Sequence, residues 1–207
     1  NRLTIQTKTE DQNRETYFYN YDKNGNELSR IKTQYHQPNI SQTPTAAVFL
    51  LGEDAAPEGI RGRINTYDAF NRLTSVRSEA GLSTYTYQPD GLRLSKTVNG
   101  QTTTHIWDGN EMVGELFGTT MTSRYLHGMG LSASLDSSGA MRYYLYNGHG
   151  DVTALTSSTG AITKTYAYDA FGNETSPSAT DTNPFRYCGE YYDQETESVY
   201  LRARVYD

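Results

Sequence analysis

Thr165-Tyr166-Ala167-Tyr168-Asp169-Ala170-Phe171-Gly172-Asn173 reads as a short alternating strand that runs into Tyr-Asp and then into a glycine turn. The same text returns along the chain. Asn65-Thr66-Tyr67-Asp68-Ala69-Phe70-Asn71 is one copy and Asn20-Tyr21-Asp22-Lys23-Asn24-Gly25 another. Thr84-Tyr85-Thr86-Tyr87-Gln88-Pro89-Asp90-Gly91 and Ile106-Trp107-Asp108-Gly109 are looser copies. Self-similarity at a fixed spacing is the mark of a repeat architecture, so the repeat is read before anything else.

Two rulers measure the period. The second residue of each Tyr-Asp-like pair falls at Asp68, Gln88, Asp108, Leu126, Asn147 and Asp169, in steps of 20, 20, 18, 21 and 22. The glycines of the opposite turn fall at Gly81, Gly100, Gly118, Gly139 and Gly160, in steps of 19, 18, 21 and 21. Each unit is therefore strand, Tyr-Asp turn, strand, glycine turn. Asn99-Gly100 carries the chemistry of a tight hairpin turn with positive φ. Between turns the residues alternate, so Tyr17, Tyr19 and Tyr21 share one face, as do Tyr85 with Tyr87 and Tyr166 with Tyr168. Stacked hairpins make rows of tyrosine on one face of a long antiparallel sheet. The 18 tyrosines supply the apolar area of a partly polar core.

The repeats predict an all-β fold, an antiparallel hairpin spiral forming part of a wall. Open strand edges at its two ends invite pairing with other copies. Residues 1–174 read as repeats, with an irregular insertion near 37–59. There Pro38, Pro44 and Pro57 argue against regular strand, and Ala46-Ala47-Val48-Phe49-Leu50-Leu51 is a strand or a short helical plug. Thr175 to Pro184 reads as a connecting loop, and residues 175–207 as a terminal module dense in aromatics and arginine. Asn1-Arg2-Leu3-Thr4 matches Asn71-Arg72-Leu73-Thr74, and the chain stops at Tyr206-Asp207, so a piece of a longer array is expected.

A net charge of −6 argues against nucleic acid as a partner. No stretch has the length and apolarity of a membrane span. The repeat aspartates Asp22, Asp68, Asp108 and Asp169 read as turn formers. His127 and His149, one period apart and each beside glycine, read either as a metal pair on adjacent rungs or as polar turns. No carboxylate or cysteine has metal-site spacing around them in sequence, which favours the turns. Cys188 reads as a small buried residue rather than a nucleophile. Glu190, Asp193, Glu195 and Glu197 read as a solvated hairpin tip rather than a calcium loop. No metal and no cofactor are expected.

With these residues in place, the chain resembles the YD repeats of Rhs (rearrangement hot spot) proteins. Tyr67-Asp68-Ala69-Phe70-Asn71-Arg72-Leu73-Thr74 is the nearest copy of that motif. The repeat positions are Tyr21, Asp22, Tyr67, Asp68, Tyr87, Trp107, Asp108, Tyr168, Asp169 and Gly172. The run Asn183-Pro184-Phe185-Arg186-Tyr187-Cys188-Gly189-Glu190 and the run Tyr200-Leu201-Arg202-Ala203-Arg204-Val205-Tyr206-Asp207 resemble the start of the Rhs-associated core. Their motif positions are Phe185, Arg186, Tyr187, Gly189, Tyr200, Arg202 and Arg204. The resemblance implies a hollow shell enclosing a C-terminal effector, secreted or displayed at the cell surface. Its partners are then the rest of the same polypeptide and the enclosed effector. It also implies a core that in many members cuts the chain by an aspartyl mechanism. Asp207 matches the first aspartate of that motif, or is a turn aspartate like Asp68. The second carboxylate that such a mechanism needs is not in this sequence. The alternative is a cell-surface scaffold whose aromatic rows contact glycans or a partner protein.

Overall fold

The computed structural model describes residues 5–10, 13–35 and 61–206. The expected insertion near 37–59, its apolar run and Asp207 lie outside them. The strands are β1 (Ile5–Glu10), β2 (Asn13–Tyr21), β3 (Glu27–Tyr35), β4 (Arg61–Tyr67), β5 (Leu73–Ser78), β6 (Gly81–Tyr87) and β7 (Arg93–Val98). They continue as β8 (Gln101–Asp108), β9 (Glu111–Phe117), β10 (Thr120–His127), β11 (Leu131–Asp136), β12 (Met141–Tyr146), β13 (Val152–Ser157) and β14 (Ile162–Thr165). These fourteen strands of the described residues form one sheet, each paired antiparallel with its neighbour in sequence. A short 3-10 turn (Tyr187–Gly189) precedes a second, three-stranded sheet of β15 (Tyr191–Asp193), β16 (Ser198–Tyr200) and β17 (Val205–Tyr206). The all-β antiparallel repeat fold is therefore as the sequence predicts.

The turns follow from local chemistry. In the Tyr-Asp turns a three-residue loop ends in a left-handed residue, with φ of 63–94° at Gly25, Asn71, Gly91, Gly150 and Gly172. Glycine takes this conformation without strain, and Asn tolerates it better than other side chains. The aspartate at the head of the loop clasps it. The Oδ1 of Asp68 accepts the backbone N–H of Phe70 and of Arg72, and Asp169 does the same for Phe171 and Asn173. The side-chain and backbone hydrogen bonds of Asn173 and Phe171 hold the Asp169 carboxyl below its ordinary value. At the other end of the strands Asn99 and Gly100 take φ of 49° and 83°, the pair of positive values that a two-residue hairpin needs.

Six of the ring positions also carry a bulge. The register shifts at Tyr21, Tyr67, Tyr87, Trp107, His127 and Tyr146. From the ring positions a ladder of hydrogen bonds ties rung to rung. The hydroxyl of Tyr67 donates to the carbonyl of Glu27 at 3.1 Å, Tyr87 to Leu73 at 2.7 Å, Tyr146 to Leu131 at 2.6 Å and Tyr168 to Val152 at 2.9 Å. Trp107 Nε1 donates to Arg93 O at 2.9 Å and His127 Nε2 lies 2.8 Å from Met112 O. The position therefore requires a ring with a donor at its far end, and Tyr, Trp and His all meet that need. It explains why the motif survives at Trp107 and His127, where its spelling is lost. Tyr87→Phe leaves the Leu73 carbonyl without this donor and is expected to cost about 1–2 kcal/mol in urea unfolding. An unchanged midpoint would show that the ladder contributes nothing.

The opposite face is hydroxylic. Thr66 bonds Ser75, Thr86 bonds Ser95 and Thr97 bonds Thr102 across neighbouring strands. These side chains stay exposed or half-buried, whereas Tyr85, Tyr125, Tyr144 and Tyr166 on the first face are buried.

Candidate functional site

The tyrosine face is covered by the chain's own last segment. Residues 183–206 lie over it, and Phe185, Tyr191 and Tyr200 join Met112, Tyr125, Leu131, Tyr144, Val152, Leu155 and Tyr166 in one buried cluster. On the alternative expectation these tyrosine rows contact glycans or a partner protein. In this stretch they are filled from within, because the segment brings its own aromatics to them.

Phe185 is the hub. Its ring stands edge-on to Tyr125 at 4.8 Å, to Tyr191 at 5.6 Å and to Tyr144 at 6.5 Å. Arg186 is buried beneath the connecting loop. It donates to the Glu174 carboxylate at 3.0 Å and to the Asn183 carbonyl at 3.1 Å, and it lies over the Tyr192 ring. Tyr187 lies against Gly172, where a Cβ would come within 2.6 Å of the Tyr187 ring. That approach gives Gly172 a second reason to be glycine besides its φ of 89°. Gly189, at φ 66°, ends the 3-10 turn. Arg202 forks onto Glu190, with Nη1 at 2.9 Å from Oε2. Arg204 is exposed at the mouth of a 430 Å³ crevice shared with Tyr67, Arg72, Tyr87 and Tyr200.

Two polar locks sit inside the aromatic cluster. Arg93 of β7 is 1% exposed and Asp193 of β15 is 2% exposed. They form a two-point ion pair at 2.6 and 3.0 Å, with Lys96 on the same carboxylate at 3.2 Å. Burial pushes the Asp193 carboxyl up, but Arg93 and Lys96 overcome it and hold it below the ordinary value. The Arg93 guanidinium lies 4.1 Å from the centre of the Tyr200 ring, and the Tyr200 oxygen accepts the Arg93 backbone N–H at 2.8 Å. The second lock is Glu115 of β9, whose two oxygens accept the hydroxyls of Tyr191 at 2.5 Å and Tyr125 at 2.6 Å. His105 lies beside it, fully covered, and burial together with Arg93 keeps the ring neutral, far below its usual value.

These contacts correct two expectations. The acidic tip is not solvated as a whole, since Asp193 is buried on Arg93, and Glu195 pairs with Lys96 at 3.1 Å. Cys188 is exposed rather than buried, and it lies near His149 and Asp151. His127 is not in that group. Its Nε2 serves the ladder, and its Nδ1 is 3.6 Å from Glu111. Sequence reasoning missed Arg93, His105 and Glu115 altogether. The only available signal was three charged or titratable residues at inward-facing strand positions.

Tandem hairpins joined rung to rung by a ring at a fixed bulge, with an aromatic segment locked across them, define a repeat-built β wall. The profile of the RHS Repeat family matches residues 67–104. The tRNA3(Ser)-specific nuclease WapA of Bacillus spizizenii is 39% identical over 153 residues, which is 69% of this chain and 6% of that protein. The tRNA nuclease WapA of Bacillus subtilis strain 168 is 37% identical over 153 residues, again 69% of this chain and 6% of that protein. A Photorhabdus luminescens Tc holotoxin pore aligns over 94% of this chain and 11% of its own, with a TM-score of 0.54 at 17% identity. A TcdB2–TccC3 crystal structure aligns over 94% of this chain and 12% of its own, with a TM-score of 0.53 at 18% identity. At those identities the structures speak for the fold alone. The chain belongs to the Rhs/YD-repeat proteins. It spans about 6% of the length of the curated relatives it matches.

Proposed function

We propose that this chain is part of the wall of an Rhs-type shell that encloses and delivers a toxin domain carried on the same polypeptide. The observation that supports this reading is the path of residues 183–206. They run along the tyrosine face, and Val205 packs against the Leu73, Val76 and Tyr85 cluster of that face. The tyrosine face is, on this reading, the inner side of the wall, and the segment leads the chain toward the space where cargo is enclosed. On this reading residues 1–174 are the repeats and 175–207 begin the core that braces them. The shell acts outside the cell that makes it. The described residues contain no helix long and apolar enough to cross a membrane.

The test is protease protection. The parent polypeptide, expressed with whatever domain follows the wall, is digested under native conditions. The downstream domain is expected to survive about tenfold longer than the same domain expressed alone, because enclosure leaves only rare openings for cleavage. Equal digestion rates would defeat enclosure.

A further inference from the structure

We propose that His149, Asp151 and Cys188 form a binding site for a thiophilic divalent cation of the zinc class, which staples the C-terminal segment to the wall. His149 and Asp151 belong to the loop between β12 and β13, whereas Cys188 lies in the 3-10 turn of the segment, 37 residues beyond Asp151. The three ligand atoms all lie within 4.8 Å of one another. Cys188 Sγ is 3.9 Å from His149 Nδ1, which is 3.0 Å from Asp151 Oδ1. Tetrahedral zinc with ordinary bond lengths to sulfur, nitrogen and oxygen sets its ligand atoms about 3.3–3.6 Å apart. Two of the three separations, 3.9 and 3.0 Å, fall close to that range and the third is within 4.8 Å, so side-chain rotation completes the site.

The arrangement is that of a metal centre rather than a nucleophile with its base. In a relay, thiol and carboxylate must address different ring nitrogens. Here both address the same one, Nδ1. Their three ligand atoms converge on one point, and a cation is what such convergence suits.

The supports are also in place. Asn147 Nδ2 donates to Asp151 Oδ2 at 2.8 Å, and the Cys188 backbone N–H donates to Asp151 Oδ1 at 2.9 Å. The carboxylate is thus oriented from both elements, as ligand-orienting hydrogen bonds do in metal sites. Cys188 itself is held at φ 52°, an uncommon conformation for a residue with a side chain. It is fixed there by Gly189 N–H on Arg186 O and Glu190 N–H on Tyr187 O. His149 lies against the Tyr187 ring at 5.6 Å. Both Cys188 and His149 are exposed, which leaves water a fourth position on the ion. Binding replaces the thiol proton with the metal and releases that proton to solvent.

Cobalt(II) and zinc(II) are the probes, added to the reduced 207-residue chain. Cobalt is expected to bind once per chain with a thiolate-to-metal charge-transfer band that zinc abolishes. Zinc is expected to slow alkylation of Cys188 at least tenfold, roughly the scale on which even ligand-orienting groups change metal affinity. Cys188→Ser removes the band. His149→Gln lowers zinc affinity about 100-fold or more and restores fast alkylation. Both changes are at exposed positions, and an unchanged far-ultraviolet spectrum confirms that the sheet is kept. A band that survives Cys188→Ser, no band with the wild-type chain, or full zinc protection in His149→Gln overturns the site.

Discussion

Asp193→Ala is expected to destabilise the protein by about 3–5 kcal/mol, because it strands the Arg93 guanidinium inside an aromatic cluster without its counter-charge. Urea unfolding measures the loss, and amide exchange of β15 and β16 locates it. The double variant Arg93→Met with Asp193→Leu is expected to recover most of the stability, since removing both charges also removes both desolvation costs. A single-variant loss under about 1 kcal/mol would show that the pair is not what holds the segment down. The acid limb carries a second signature. The folded carboxyl is held below its ordinary value, so the unfolded chain binds the proton more readily. Its contribution is present above the unfolded value of about 3.9 and is lost as pH falls through the folded one. Asp193→Asn should flatten that limb.

Phe185→Ala is expected to cost a similar amount, about 3–5 kcal/mol, through the cavity left among Tyr125, Tyr144 and Tyr191. In thermal unfolding this is a fall of about 6–20 °C for a chain of this size. The loss carries no charge, so it should be the same at pH 5 and at pH 8. A fall of less than about 2 °C would mean that the segment does not rely on its hub.

The two variants probe the part of the molecule that the sequence conceals. The hairpins are legible because their signals are local. Asp68 bonds atoms two and four residues on, and Asn99-Gly100 carries its turn in two letters. At the weak copy the spacing puts the Asp position at Leu126, but the bulge and the rung-to-rung contact belong to His127, which moves that position to Gly128. Distant partners are another matter. Nothing near Asp193 in sequence announces Arg93, 100 residues earlier, so the acidic run reads as solvated. Nothing near Cys188 announces His149, 39 residues earlier. Glu115 is unreadable for the same reason, since its Tyr191 partner is 76 residues away. Local chemistry writes the wall, and long-range pairing writes what closes over it.

Strict pairing of neighbours in sequence has a kinetic consequence. Each hairpin finds its partner within a few tens of residues, so loop-closure entropy is small and strands add like teeth of a zipper, from any starting rung. The terminal segment differs, because many of its contacts reach back across long separations, 76 residues for Tyr191 on Glu115, 107 for Tyr200 on Arg93 and 133 for Thr196 on Arg63. Contacts of that range form late, after the platform they need already exists. A chain emerging from a ribosome or a narrow channel therefore builds its rungs in order of appearance and fastens the clasp last.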